Sequence, residues 1–266
     1  MGYHSKKVLH LGVKNKYCAM CAASKRKNCQ PPEHKCFKNW CGSSSAMEAD
    51  IIVDGFLQSM PEHNVKYFRM IGDGDSNVYK KILDARPYGN TIVEKIECKN
   101  HLLRNFCNKL KGIALNTKLG PIKLRKIVGN NVLRLRNAIV KAAEYRKDEG
   151  ALKLRSDIMN SPMHVFGDHQ NCDKYFCVGR TDQNYIPELK DSGILYKIME
   201  VINNMAFHAQ SLLYNANNNA VEELNSIIAK HVGGKRINFS LKGSYQTRCN
   251  MSVVSHNTKQ KYRKNI

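Results

Sequence analysis

Two short runs in this chain combine residue types and spacing that could do chemistry. They are Asp73-Gly74-Asp75-Ser76 and Cys98-Lys99-Asn100-His101. The first closes an apolar run, Val65-Lys66-Tyr67-Phe68-Arg69-Met70-Ile71, that reads as a strand. A carboxylate at the C-terminal end of a strand, with a turn and a helix behind it, is placed to hold a metal ion or a reacting group. Asp75 sits in that turn and would equally serve as the helix N-cap. The second run follows another strand-like stretch, Thr91-Ile92-Val93-Glu94-Lys95-Ile96.

Two further groups have the spacing of zinc ligands. Cys18-x2-Cys21 is followed by His34-x-Cys36, with Cys29 and Cys41 as spares. His164-x4-His169-x2-Cys172-x4-Cys177 forms the second. Four such ligands over so few residues can close a tetrahedron around Zn²⁺ and tie down a loop that has no apolar core of its own. Asp168 beside His169 is a candidate to orient that imidazole. Cys107 and Cys249 read as buried thiols.

The elements that must position these residues follow from periodicity. Residues 6–14 read as a strand, and residues 15–46 as a loop with five cysteines, Pro31-Pro32 and Ser43-Ser44-Ser45. A helix is expected over 47–60 and another from about Asn77 to Asp84, ahead of the turn at Pro87–Gly89. From 98 to 160 the pattern is helical. Ile122, Ile127, Val128, Val132, Leu135, Ile139, Val140 and Ala143 recur at three- and four-residue spacing. Residues 161–185 form the second Cys/His loop, and 188–231 are again helical, broken at Asn215–Asn219. Within that stretch, Val221, Leu224 and Ile228 form an apolar stripe. Glu222 and Asn225 share the face beside it. Gly233-Gly234 ends the helix.

The chain has 266 residues with 43 Lys+Arg against 22 Asp+Glu, a formal net charge of +21. That excess favours a polyanionic partner, nucleic acid ahead of a membrane surface. Between Lys95 and Arg155 there are 16 Lys/Arg and four acids, so the helical region is the expected phosphate-contacting face. No apolar run approaches the roughly 18 residues a membrane span needs. The N-terminal residues Met1–Lys7 lack the apolar stretch of a signal peptide. Ten cysteines without such a signal read as metal ligands or buried thiols in a reducing compartment.

A strand ending in Asp, a strand ending in Cys-x2-His and a basic helical stretch together resemble the catalytic domain of Mutator-like DDE transposases. The resemblance extends over nearly the whole chain. Val221-Glu222-Glu223-Leu224-Asn225 is similar to the family's Glu-x2-Asn segment. Lys235-Arg236-Ile237-Asn238 and Ser244-Tyr245-x2-Arg248 are similar to its ending.

The resemblance implies an α/β fold: an RNase H-like (DDE integrase-type) core with an all-helical insertion and Cys/His zinc-like loops. It implies a partial core over 1–110 carrying the Cys-rich loop 15–46. A helical insertion with the second Cys/His cluster would span 111–215, the final core helix and ending 216–250, and a basic tail 251–266. It implies metal-dependent DNA cleavage and strand transfer, with carboxylates holding two Mg²⁺ or Mn²⁺ ions about 4 Å apart. Asp73 then stands as the second catalytic aspartate and Glu222, ahead of its neighbour Glu223, as the late acid. Asp75, Cys98, His101 and Asn225 would support the site.

Arg104, Lys109, Lys111, Lys123, Arg125, Lys126, Lys235, Arg236 and Arg248 are the candidate DNA contacts. Double-stranded DNA is the expected partner, the nucleus the expected location, and a homodimer the assembly the resemblance allows. No acid precedes Glu33, so the family's first strand and first catalytic aspartate are expected to be missing and the chain by itself inactive. The competing expectation is a non-catalytic, zinc-stabilised nucleic-acid-binding protein, a transposon remnant with an adopted role. A cellular RNase H-like nuclease fits the Cys/His elements less well.

Overall fold

The computed structural model describes residues 1–74, 76–177, 183–234 and 244–259. Among these the chain is mainly helical. In order it forms α1 (Ala19–Arg26), α2 (Ser44–Leu57), α3 (Ser59–His63), β1 (Arg69–Gly72), α4 (Ser76–Ala85), β2 (Glu94–Glu97), α5 (Lys99–Leu115), α6 (Ile122–Tyr145), a 3-10 turn (Arg146–Asp148), α7 (Ala151–Val165), α8 (Ile186–Asp191), α9 (Ile194–Phe207), α10 (Ala209–Tyr214), α11 (Asn219–His231) and α12 (Ser244–Thr258). The chain divides into two compact units. One comprises Met1–Met70, Asp75–Lys95 and Asn218–Ile266, and the other Ile71–Gly74 and Ile96–Asn217.

The two strands pair in parallel. Glu94 N–H donates to Phe68 O and Cys98 N–H to Gly72 O, each at 2.8 Å, with the same register offset at both ends. Both strands are shorter than their apolar runs. Val65, Phe68 and Ile92 are exposed, because pairing begins only at the Phe68–Glu94 bond.

Residues 6–14 are not a strand, which corrects the expectation from their alternation. Their backbone is held by side chains instead. The Asn257 amide donates to Val8 O and accepts from Val8 N–H, filling the place of a neighbouring strand at one residue only. Gly12 lies so close to α2 that a Cβ there would come within 2.4 Å of Ile51. The α/β expectation thus reduces, among the described residues, to one strand pair in a helical chain. An RNase H-like sheet is not established.

In the first unit, Ala49 and Phe56 of α2 pack against Val78 and Ile82 of α4, with Tyr88 and Val93. α2 starts three residues before its predicted position because Ser43 caps it, its hydroxyl accepting Ala46 N–H at 3.1 Å. Tyr88 Oη is the polar centre of this core. It lies 2.6 Å from Ser59 Oγ, accepts Tyr67 N–H at 2.9 Å and reaches Phe56 O at 3.3 Å. At the other end of the chain, α11 packs on α12. The predicted stop at Gly233-Gly234 takes the form of a Schellman turn, with Gly234 N–H to Ala229 O and Gly233 N–H to Lys230 O. Helix α12 continues to Thr258, so the first half of the expected basic tail, residues 251–258, is helix; residues 260–266 lie outside the described ones.

The second unit is a helical bundle. Leu124, Val128, Val132, Leu135, Ile139 and Ala142 run down one side of α6 and meet Leu103, Phe106 and Leu110 of α5 and Leu154 and Ile158 of α7. Each fully buried leucine or isoleucine contributes about 1.5–3 kcal/mol, which is what holds such a bundle together. Helix α10 ends at Asn215, which takes the left-handed conformation (φ 50°), and this is where the predicted Asn-rich break falls.

Candidate metal centres and acidic site

The first Cys/His centre is built on the loop between residues 14 and 40. Asn39 closes the base of that loop. Its amide donates to Val13 O, its carbonyl oxygen accepts Asn15 N–H, and Asn15 O accepts the Asn39 N–H. Cys18 stands at the N-cap of α1 and Cys21 lies in its first turn, so one helical turn carries two thiols inward. His34 Nε2 lies 3.2 Å from Cys18 Sγ and 3.4 Å from Cys21 Sγ, and Cys21 Sγ lies 3.6 Å from Cys36 Sγ. His34 Nδ1 is 2.7 Å from Pro32 O, so that nitrogen carries the proton and Nε2 is left as the free donor atom. Cys29 and Cys41 remain outside the group.

Electrostatically, this group is crowded for its own protons. The Cys18 thiol is drawn down to about 6, chiefly by the Cys21 backbone N–H and then by His34. The Cys21 thiol is pushed up to about 11, chiefly by its neighbour Cys36. The His34 imidazole is raised, first by the Pro32 carbonyl.

The second centre forms at the C-terminal end of α7. Pro162 interrupts the helix without a helix N–H, and the Ser161 hydroxyl donates to Ile158 O in its place at 2.7 Å. The helix then ends in a Schellman turn, Asp168 N–H to Met163 O and Gly167 N–H to His164 O, with Gly167 at φ 96°. That reversal brings His164, in the last turn, to face His169 just beyond it. Their Nδ1 atoms are 3.2 Å apart. Cys172 Sγ lies 3.3 Å from His164 Nδ1, and Cys177 Sγ 3.4 Å from His169 Nδ1. The Cys172 thiol is pushed up to about 11 by burial first and by Cys177 next. Asp168 does not orient His169, contrary to expectation. Its carboxylate accepts Gln170 N–H at 3.1 Å, and the buried His169 Nε2 has no hydrogen-bond partner among the described residues.

In each centre the four donor atoms lie within 4.8 Å of one another. A tetrahedron with Zn–N and Zn–S bonds of about 2.0–2.3 Å has edges of roughly 3.3–3.8 Å. The donor separations of 3.2–3.7 Å above are those of such a tetrahedron. The donor set of each centre is therefore compatible with a structural Zn²⁺.

The acidic residues are placed differently. Asp73 follows β1 directly, one residue past the Gly72 carbonyl that receives Cys98 N–H, so it stands exposed where the two parallel strands end together. Cys98 is buried at the N-cap of α5 and His101 is half-buried on its first turn. Asp75 lies outside the described residues. Glu222 and Asn225 are exposed on α11, and of their flanking stripe Leu224 is buried, Ile228 half-buried and Val221 exposed.

Asp73 and Glu222 belong to different units. Among the described residues, the groups of three or more His, Cys, Asp or Glu that converge are the two Cys/His centres. Among the described residues, neither unit by itself gathers a group of three or more carboxylates.

The candidate DNA contacts also divide. Arg104, Lys109, Lys111, Lys123 and Lys126 are exposed on α5 and α6. Lys109 reaches Asn204 at 3.5 Å, and Lys123 lies 3.8 Å from Glu188. Arg125 is half-buried and donates to Ala114 O at 3.5 Å, bracing the α5–α6 hairpin. Arg248 donates to His231 O at 2.9 Å, where its charge complements the C-terminal end of α11. Lys235 and Arg236 lie outside the described residues.

Sequence reasoning missed Arg146, which it counted as one more cation of the basic stretch. It is buried (8% exposed) and bonds Asp157, Glu149 and Asp173. The available signal was Asp173 and Tyr175 lying between the two cysteine ligands.

Fold and sites together define a class: a basic, mainly helical protein whose loops converge on Cys/His centres of zinc geometry. Residues 1–177 match the family model of the Mutator-like transposases, about two thirds of the chain and a span that includes both centres. The chain belongs to the Mutator-like transposase family. No curated protein and no solved structure matches it.

Proposed function

We propose that this chain is a zinc-stabilised, transposase-derived DNA-binding protein. It holds duplex DNA on the exposed cations of α5 and α6 and keeps its two loops folded with one Zn²⁺ at each Cys/His centre. The observation that carries the reading is membership of the Mutator-like transposase family over residues 1–177. The net charge of +21 and the exposed, acid-poor surface of α5 and α6 support it. With DNA as the partner, the nucleus is the location this reading implies. The strand pair β1–β2, with Asp73 at its end, would be the part of an RNase H-like core present here.

The chemistry ancestral to the family is metal-dependent DNA cleavage and strand transfer. Binding without cutting is the reading for these 266 residues; among the described residues the converging groups are the two Cys/His centres, which suit a structural metal.

The test combines metal content by mass spectrometry with duplex binding at several salt concentrations. Expected are two zinc ions per chain and binding that falls steeply with salt. Lys126→Gln should reduce the slope of log K against log[salt] by about one. Zinc-free folded protein, or binding indifferent to salt, would overturn the reading. So would Mn²⁺-dependent nicking that is lost in Asp73→Ala.

A further inference from the structure

We propose that Arg146 is the positioning residue of the second Cys/His centre, holding the segment between Cys172 and Cys177 in its ligating conformation. The inference rests on reading that centre as a zinc site. Arg146 opens the 3-10 turn after α6, and its guanidinium is divided among three carboxylates. Nε donates to Asp157 of α7 at 2.7 Å, Nη1 to Glu149 at 2.8 Å, and Nη2 to Asp173. Asp173 is the residue directly after the ligand Cys172.

The other oxygen of Asp173 accepts Lys174 N–H at 3.0 Å, and its carbonyl accepts Phe176 N–H and Cys177 N–H. The Asp173 backbone thus forms the turn that delivers Cys177, and its side chain ties that turn to Arg146. Tyr175, two residues on, makes the second tie. Its hydroxyl donates to Asp157, and its ring stacks on Tyr145 at 3.7 Å with planes 3° apart. The guanidinium lies about 5 Å from both rings. Phe176 then packs edge-on against the ligand His164, 4.5 Å between centroids. Every residue from Asp173 to Phe176 except Lys174 is therefore fixed from α6, α7 or a ligand ring.

A buried guanidinium with three carboxylate partners has a chemical purpose here. A loop of six residues pays the entropy of ordering when metal binds, unless another contact has ordered it first. Partners that orient metal ligands typically account for 10–100-fold in metal affinity. Arg146 supplies that order from a helix end, and lysine, a point charge, cannot satisfy three carboxylates in one plane.

The two centres differ in thiolate number, three in the first and two in the second, so Co²⁺ in the full chain reports them by distinct visible bands. Chelator competition is measured on Co²⁺- and Zn²⁺-loaded protein. Asp173→Asn removes the ionic tie and keeps an oxygen for Lys174 N–H, so the variant folds. It should release metal from the Cys2His2 centre about tenfold faster and leave the Cys3His centre unchanged, and Arg146→Lys should do the same. Asp148→Asn, exposed on the same turn, should change neither.

Unchanged release in Asp173→Asn and Arg146→Lys would overturn the inference while leaving the zinc reading intact. Equal acceleration at both centres would also overturn it, because it would mark a general loss of stability. Wild-type protein that binds one metal only, at the Cys3His centre, would sink the zinc reading of the second centre and this inference with it.

Discussion

Gly167→Ala tests whether the turn after α7 builds the second centre. Gly167 has φ 96°, and a Cβ on it would lie 2.4 Å from Gln183 O and 2.9 Å from the Gln183 carbonyl carbon and Asn184 Cα. All three are backbone atoms, and Tyr185 N–H donating to Phe166 O at 2.8 Å holds that backbone in place. The cost has two parts: about 2 kcal/mol of conformational strain and about 2 kcal/mol for the forced shift.

Gly150 provides the comparison. It has nearly the same φ, 91°, with nothing within 4 Å of its would-be Cβ. Gly150→Ala should therefore cost only the strain, about 2 kcal/mol. At about 4 °C per kcal/mol for a unit of this size, the expected losses in melting temperature are about 16 °C and 8 °C. The assay is thermal unfolding by circular dichroism at saturating zinc, with metal content measured on the same samples. Gly167→Ala should also lose metal from the second centre, because the turn that brings His164 to His169 is displaced. Equal melting temperatures for the two variants, or full zinc in Gly167→Ala, would refute the argument.

Two further outcomes follow from the packing and charge described above. Tyr88→Phe leaves the Ser59 hydroxyl and Tyr67 N–H without their shared partner inside the first core and should cost about 1–3 kcal/mol, read by chemical denaturation. The Glu149 carboxyl is held below its usual range, first by Lys153 and then by Arg146. Its folded pKa is depressed, so its stabilisation is complete above the unfolded value of about 4.3 and disappears as pH falls through the lower folded value. Glu149→Gln should flatten the melting temperature against pH between about 5 and 3. An unchanged slope would show that the ion pairs do not persist in solution.

Long helices were legible because they need only their own periodicity and one apolar partner face. The alternation of α6 from Leu124 to Ala142 is such a pattern, and so is the Gly233-Gly234 stop of α11. Residues 6–14 were misread for the opposite reason. A strand is completed by another segment's hydrogen bonds, and here a single asparagine side chain from α12 takes that role at Val8. The same limit trimmed both strands of the pair to four residues each.

Spacing in the sequence determined the membership of both Cys/His centres, since eight candidate ligands on short loops can reach one another only locally. It also determined the positive charge and the resemblance that the family match bears out. Tertiary structure alone decided what each charge does. Arg125 and Arg248 cap backbone carbonyls and Arg146 binds three carboxylates, while Lys126 stays in water. Sequence records the sign of a charge at each position. Whether that charge meets a partner depends on which distant segment folds beside it, and that is fixed only when the helices pack.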